Sequence, residues 1–91
     1  MGNKINSLLN RLYKEHSGYD ADRIALLPVS GSNRQYYRVF HEEDSVIGVY
    51  NPDKRENNAF LTLSRRFKNL GLNVPEVLSE DTQNDIYLLE D

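Results

Sequence analysis

The chain has 91 residues, enough for one domain with a modest hydrophobic core. Hydrophobic residues make up 38% and charged residues 27%, proportions typical of a globular chain rather than a disordered one. The net charge of -3 gives no electrostatic reason to expect nucleic acid or an anionic membrane as a partner, and no apolar run is long enough to span a bilayer. Cysteine is absent, which excludes disulfides and thiolate metal sites and fits a cytoplasmic location.

The first half of the chain predicts one helix followed by three strands. Apolar residues spaced by three and four predict a helix that stops at Gly18. Residues 23–27 then predict a short strand. Residues 35–41 and 46–50 are rich in aromatic and branched side chains, which indicates two more strands joined by the polar loop 42–45. These three strands are expected to form an antiparallel meander.

The second half predicts another helix and two strands. Asp53 and Glu56 have the spacing of a capping box, and apolar residues then recur at helical intervals up to Gly71, a residue suited to a left-handed cap. Residues 76–79 and 86–89 predict the last strands. The second of these is a continuous apolar run, which indicates burial on both faces.

The expected fold class is therefore α+β, with a five-stranded antiparallel sheet, the second helix packed against it and the first helix flanking. We divide the chain into an N-terminal helix, residues 1–18, and a single domain, residues 19–91. Because the last strand ends at Asp91 without a polar tail, we expect the chain to be cut from a longer protein.

Residues 28–34 (PVSGSNR) are the most informative segment for function. A turn of small residues between antiparallel strands can lie over a phosphate chain, because small side chains let backbone N–H groups approach the oxygens. Gly31 is the only glycine in it, so the segment matches neither the dinucleotide-binding nor the Walker pattern. Taken alone, an ordinary hairpin turn is the simpler interpretation.

Three short motifs occur in a fixed order: RQYYR at 34–38, GLNVP at 71–75 and LED at 89–91. Their order and spacing resemble the amino-terminal lobe of the aminoglycoside phosphotransferase-like kinases. The similarity is closest to bacterial kinases that act on the anomeric position of N-acetylmuramate and N-acetylglucosamine. It runs from about residue 27 to 91, with the first helix as a prefix, and it implies a protein kinase-like N-terminal lobe.

The resemblance implies a transferase that moves the γ-phosphoryl group of ATP to a hydroxyl of a small molecule, and its similarity to sugar kinases favours a sugar as that acceptor. It also implies that the catalytic aspartate and the ligands that mainly hold Mg²⁺ belong to a second lobe beyond this chain. Because phosphoryl transfer depends on positioned metal ions and an oriented nucleophile, the 91-residue chain should not catalyse on its own. We therefore assign no catalytic and no metal-binding residue.

The resemblance further implies a nucleotide-binding set. Residues 31–34 would form the loop over the ATP phosphates, and residues 89–91 would begin the hinge that binds the adenine edge. Glu56 would be the acidic partner of a phosphate-binding lysine, although a helix-capping role is an equally good interpretation of its position. The full set is Gly31, Ser32, Asn33, Arg34, Arg38, Glu56, Leu89, Glu90 and Asp91.

One feature departs from the family pattern. Such kinases place a lysine on the third strand, where it neutralises the nucleotide phosphates. Residues 46–50 (VIGVY) contain no lysine. Arg34 and Arg38 are the candidates to replace it, and Arg38 can do so only if its side chain faces the cleft.

A non-catalytic binding module is the alternative function. Tyr36, Tyr37 and Phe40 lie beside arginines, as in proteins that stack single-stranded RNA bases on aromatic rings. Against RNA, adjacent tyrosines on a strand point to opposite faces, and the chain is acidic overall. A protein-interaction domain that docks a partner on an exposed sheet face would share the same fold.

Overall fold

A computed structural model describes residues 2–28 and 34–91, with side chains from Lys4 onward in the first helix. The strands form one antiparallel sheet in the order β1-β2-β3-β5-β4. The predicted α+β class with a five-stranded antiparallel sheet is thus confirmed. The elements are α1 (Gly2–Ser17), β1 (Arg23–Leu26), β2 (Gln35–His41), β3 (Asp44–Tyr50), α2 (Lys54–Asn69), β4 (Val77–Asp81), a 3-10 turn (Thr82–Asn84) and β5 (Ile86–Glu90).

The two helices lie on opposite faces of the sheet. Helix α1 does more than flank the sheet, because Leu9 and Leu12 are buried in a core cluster with residues of β2 and β5. Helix α1 therefore shares one core with the sheet. Neither described helix is long and apolar enough to cross a membrane. The buried members of this first cluster are Leu9, Leu12, Tyr13, Tyr37, Val39, Ile86 and Leu88.

Strand β5 supplies side chains to both sides of the sheet. Ile86 and Leu88 pack in the cluster under α1, whereas Tyr87 and Leu89 pack with Leu61 of α2 on the other face. These four residues of β5 are all buried, as the continuous apolar run predicted. Successive side chains of a strand point to opposite faces of the sheet, and β5 has a hydrophobic cluster on each face.

The hairpin between β2 and β3 is tighter than the sequence predicted. Strand β3 begins at Asp44, which pairs with His41, so that only Glu42 and Glu43 connect the strands. Glu42 has a φ of 53°, in the left-handed region that two-residue hairpin turns use. Strand propensity missed this start because Asp44 and Ser45 are weak strand formers whose pairing is decided by register.

The apolar periodicity of α2 does not mark the side that the helix buries. The residues that α2 buries are Asn57 and Leu61, while Leu63 and Phe67 of its apolar stripe are exposed. The Asn57 side chain donates a 2.7 Å hydrogen bond to the backbone carbonyl of Asn51, which fixes the rotation of the helix about its axis. The exposed apolar residues are Leu63, Phe67 and Leu70, at 48%, 38% and 70% exposure.

Gly48 of β3 lies directly beneath α1, which makes it a test of the helix–sheet packing. A Cβ atom at this position would lie 2.8 Å from Cδ2 and 3.2 Å from Cδ1 of Leu9, a fully buried side chain. We expect Gly48→Ala to lower the free energy of unfolding by about 1–3 kcal/mol, because a well-packed core must shift to admit the methyl group. Urea unfolding followed by circular dichroism measures this difference.

The double variant Leu9→Ala/Gly48→Ala is the control for that prediction. Leu9→Ala alone should cost about 2–5 kcal/mol through the cavity it leaves. Because the truncated side chain also relieves the clash, the double variant should cost less than the sum of the two single changes. Strictly additive costs would contradict close packing of Leu9 on Gly48.

Candidate functional site

The predicted nucleotide-binding residues fall into two groups at different places on the sheet. Residues 31–33 lie outside the described residues. Arg34 and Glu56 come together where β2 begins and α2 starts its first turn. Arg38 and Asp91 form a second group, with β2 and the residue after β5 as its supports.

Arg34 and Glu56 form a partly buried ion pair. Their closest atoms, Nη2 of Arg34 and Oε1 of Glu56, are 3.1 Å apart. The guanidinium carbon of Arg34 lies 5.3 Å from the ring centroid of Phe60, one turn further along α2. Only 21% of the arginine side chain is exposed, against 53% of the glutamate, so the cation is the more deeply set partner.

Asn51 contacts the same carboxylate oxygen of Glu56 that Arg34 contacts. Its Nδ2 donates a 2.9 Å hydrogen bond to Oε1 of Glu56, and its Oδ1 accepts from the backbone N–H of Asp53. Its backbone N–H donates to the carbonyl of Asp85, and its own carbonyl accepts from the Asn57 side chain. Asn51 is 1% exposed, so these contacts lie in the interior. The sequence analysis assigned no role to this position.

The helix cap is Asp53 rather than Glu56. The Asp53 side chain accepts a 3.1 Å hydrogen bond from the backbone N–H of Glu56, as the capping-box spacing predicted. The Glu56 side chain does not return this contact, because the backbone N–H of Asp53 is already bonded to Asn51. The Glu56 carboxylate is instead directed to Arg34 and Asn51.

Tyr87 forms an apolar floor beneath the ion pair. Its ring stacks on Phe60 with centroids 5.4 Å apart, and burial raises the pKa of Tyr87 to about 12, so its hydroxyl is neutral. Burial lowers the pKa of Arg34, but a hydrogen bond with Tyr36 and the proximity of Tyr87 and Glu56 outweigh that effect and raise it. Arg34 is therefore a fixed cation.

Arg38 is held away from Glu56. Its Nε and Nη2 atoms contact the two carboxylate oxygens of Asp91 at 2.9 and 3.3 Å. The Ser45 hydroxyl also donates to this carboxylate. The Ser45 hydrogen bond, together with Arg38 and against a smaller opposing effect of burial, lowers the pKa of Asp91. Of the two arginines considered as replacements for the missing lysine, only Arg34 is paired with Glu56.

The remaining residues of the predicted hinge have contacts within the sheet and its flanking segments. Leu89 is 7% exposed and packs in the cluster under α2. Glu90 donates its backbone N–H to the Glu76 carbonyl, and its side chain accepts from the Glu76 N–H and lies 4.0 Å from Lys68. Strand β5 and the segment that enters β4 are thus fastened to each other at this edge.

The three aromatic residues considered for RNA stacking do not all lie on one face of the sheet. Tyr37 is 4% exposed and packs in the cluster with α1, whereas Tyr36 packs on the opposite face near Tyr87. Phe40 lies under the guanidinium of Arg23, whose carbon is 4.3 Å from the ring centroid. The opposed faces of Tyr36 and Tyr37 agree with the alternation predicted from the sequence.

Comparison with protein-family models, with curated proteins and with solved structures finds no match to this chain. Within residues 2–28 and 34–91, no group of three or more His, Cys, Asp or Glu side chains is placed to hold a metal ion. The described side chains of the site supply a cation, a carboxylate that orients it and two stacked aromatic rings.

The lowered pKa of Asp91 gives a prediction for pH dependence. A carboxylate whose pKa is lower in the folded state stabilises the fold above its unfolded pKa, and that stabilisation is lost as the pH falls through the folded pKa. Ser45→Ala removes the leading cause of the shift, so we expect the pKa of Asp91 to rise towards its ordinary value. A carboxyl-carbon NMR titration measures this pKa. Ser7→Ala, at an exposed position of α1, is the control, and equal Asp91 values in both variants would contradict the assignment.

Proposed function

We propose that the chain is the nucleotide-covering lobe of an ATP-dependent small-molecule phosphotransferase similar to the aminoglycoside phosphotransferase-like kinases. The observation that carries this proposal is the ion pair between Arg34 and Glu56. Kinases need a cation on the phosphates, and in protein kinases it is a lysine of the third strand paired with a glutamate of the following helix. Here α2 likewise follows β3 and supplies the glutamate, while the cation comes from the start of β2.

The exchange of lysine for arginine is chemically consistent with phosphate binding. A guanidinium carries five N–H donors in a planar fork, so it can keep a contact with Glu56 while it binds phosphate oxygens. Glu56 is fixed by Asn51, which limits the positions open to Arg34 before any ligand arrives. A preorganised cation loses less conformational entropy when it binds a nucleotide than a freely rotating one.

The position of Arg34 also supports the proposal. It is the last residue of segment 31–34, which the family resemblance assigns to the loop over the phosphates. A loop and a cation that are adjacent in sequence can contact the same phosphate chain. In this proposal the adenine edge meets the backbone of residues 89–91, and a second lobe supplies the catalytic base, the Mg²⁺ ligands and the pocket for a sugar-like acceptor.

Binding of Mg-ATP to the 91-residue chain tests the proposal directly. We expect ATP to bind, and Arg34→Gln to weaken binding about tenfold or more, because a charge-assisted hydrogen bond to phosphate is lost. Arg34→Lys should recover part of the affinity, since lysine restores the charge but not the fork. Isothermal titration calorimetry gives the affinities, and thermal unfolding shows whether each variant is folded.

Arg11→Gln is the matched control, because Arg11 lies on the exposed side of α1 in a surface pair with Glu15. This change should leave ATP affinity as it is. The proposal fails if the folded chain does not bind ATP, or if Arg34→Gln and Arg11→Gln bind it equally well. In the first case a non-catalytic interaction module becomes the better description of the chain.

A further inference from the structure

A cleft lies on the opposite side of the sheet from the Arg34–Glu56 pair. It has a volume of about 600 Å³ and opens between the first turns of α1 and the ends of β2 and β3. Tyr37 and Tyr50 contribute from the sheet, Ile5 and Leu8 from the helix, and Leu26 from β1. Binding pockets for small molecules typically enclose about 300–1,000 Å³, so the cleft has the size of a ligand site.

Aliphatic side chains line the sides of this cleft. Ile5 and Leu8 are only half-buried although they pack at the edge of the core, and Leu26 is 63% exposed. These aliphatic side chains and the two tyrosine rings leave an unfilled apolar surface next to a well-packed core. A ring-shaped or branched apolar group would cover this surface and would release the water that contacts it.

The polar groups of the cleft include the donors of Gln35. Oε1 of Gln35 accepts a 2.8 Å hydrogen bond from the Tyr37 hydroxyl, which leaves the amide N–H groups of Gln35 for a ligand. Burial, with a contribution from Tyr50, raises the pKa of Tyr37, so that its hydroxyl stays protonated. The one carboxylate in the lining, that of Asp85, is already paired with Lys54 at 2.6 Å.

The charge at the mouth of the cleft is positive. Lys4 lines it, and within the described part of the chain this ammonium has no salt-bridge partner. The first turn of α1 contains no acidic residue, and the positive end of a helix dipole attracts an anion. The lysine, the Gln35 amide N–H groups and the N-terminal end of α1 favour an anion over a cation.

From this combination we propose that the cleft is a binding site for a small organic carboxylate with an apolar ring or branched body. The body lies against Leu8, Leu26 and the tyrosine rings, and the carboxylate points to Lys4 and the Gln35 amide. The site lies on the α1 face, whereas the proposed nucleotide contact lies on the α2 face. The proposal therefore stands independently of ATP binding.

Benzoate, benzamide and benzamidine test the proposal, because they have the same shape and carry charges of about -1, 0 and +1 at neutral pH. We expect benzoate to bind with a dissociation constant on the order of 1 mM, the range for a ligand this small. Benzamide should bind more weakly, and benzamidine should bind weakest. Titrations followed by ¹H–¹³C NMR of the tyrosine rings give the affinities and show whether Tyr37 and Tyr50 respond.

Two substitutions locate the binding. Lys4→Gln should weaken benzoate roughly threefold, as expected for an exposed charge contact, and should leave benzamide unchanged. Lys14→Gln is the matched control near the other end of the same helix and should change neither ligand. Ile5→Trp should abolish binding of both compounds by filling the cleft. Thermal unfolding shows whether it is folded, and the two lysine variants decide the question if it is not.

Any of four results would overturn the proposal. These are no benzoate binding at 20 mM probe, about the practical limit for so small a ligand; equal binding of benzoate and benzamidine; equal effects of the two lysine variants; or NMR shifts around Phe60 rather than Tyr37. The last result would move the carboxylate to the Arg34 face. Benzoate binding that is weakened by Lys4→Gln, with shifts at both tyrosines, supports the site.

Discussion

The buried residue Asn51 connects three parts of the fold through polar contacts of its backbone and side chain. Its backbone N–H joins the end of β3 to the turn before β5, and its carbonyl and Oδ1 fasten the first turn of α2. A buried polar group left without a partner costs about 1–3 kcal/mol, so each of these contacts restricts the others. Few alternative positions of α2 can satisfy all of them at once.

This constraint explains why α2 is oriented against its own apolar pattern. If hydrophobic burial alone decided the rotation, the stripe that contains Leu63 and Phe67 would face the sheet. Those residues are instead 48% and 38% exposed, and Asn57 faces inward with its side chain on the Asn51 carbonyl. The polar network and the burial of Leu61 and Phe60 against β5 together determine the orientation.

The orientation of α2 in turn produces the candidate site. With Asn57 inward, Glu56 lies at the edge of the helix that borders the start of β2, where Arg34 enters. Asn51 fixes the glutamate, and the glutamate fixes the arginine above the ring of Phe60. The site thus consists of three oriented groups in sequence, from the buried Asn51 through Glu56 to the guanidinium of Arg34. The opposite face, with α1 and the 600 Å³ cleft, is built separately on Tyr37 and Tyr50.

Local sequence signals predicted the elements well, because each element is specified by residues close to one another. Apolar periodicity predicted both helices, the Asp53 cap follows from its spacing to Glu56, and Gly71 has the expected positive φ of 82°. The alternation of Tyr36 and Tyr37 across the two faces followed from the geometry of a strand. Strand ends were off by one or two residues, because register rather than propensity decides them.

Long-range polar contacts could not be predicted in the same way. Arg38 does not pair with Glu56, because it forms an ion pair with Asp91 at the end of β5. The Asp91 carboxylate also accepts a hydrogen bond from Ser45 of β3. The role of Asn51 was hidden because an asparagine after a strand is an ordinary turn residue. Its burial arises only when β5 and α2 pack around it, and no local pattern encodes that packing.

Replacement of Asn51 by alanine tests the central claim that this residue fixes α2 and, through Glu56, the position of Arg34. Asn51→Ala should lower the free energy of unfolding by about 2 kcal/mol and shift the Nε–Hε NMR signal of Arg34 towards that of an exposed arginine. Asn58→Ala, at an exposed position of α2, should leave both quantities nearly unchanged. If Asn51→Ala destabilises the chain but the Arg34 signal does not move, the arginine is positioned independently and the account is wrong.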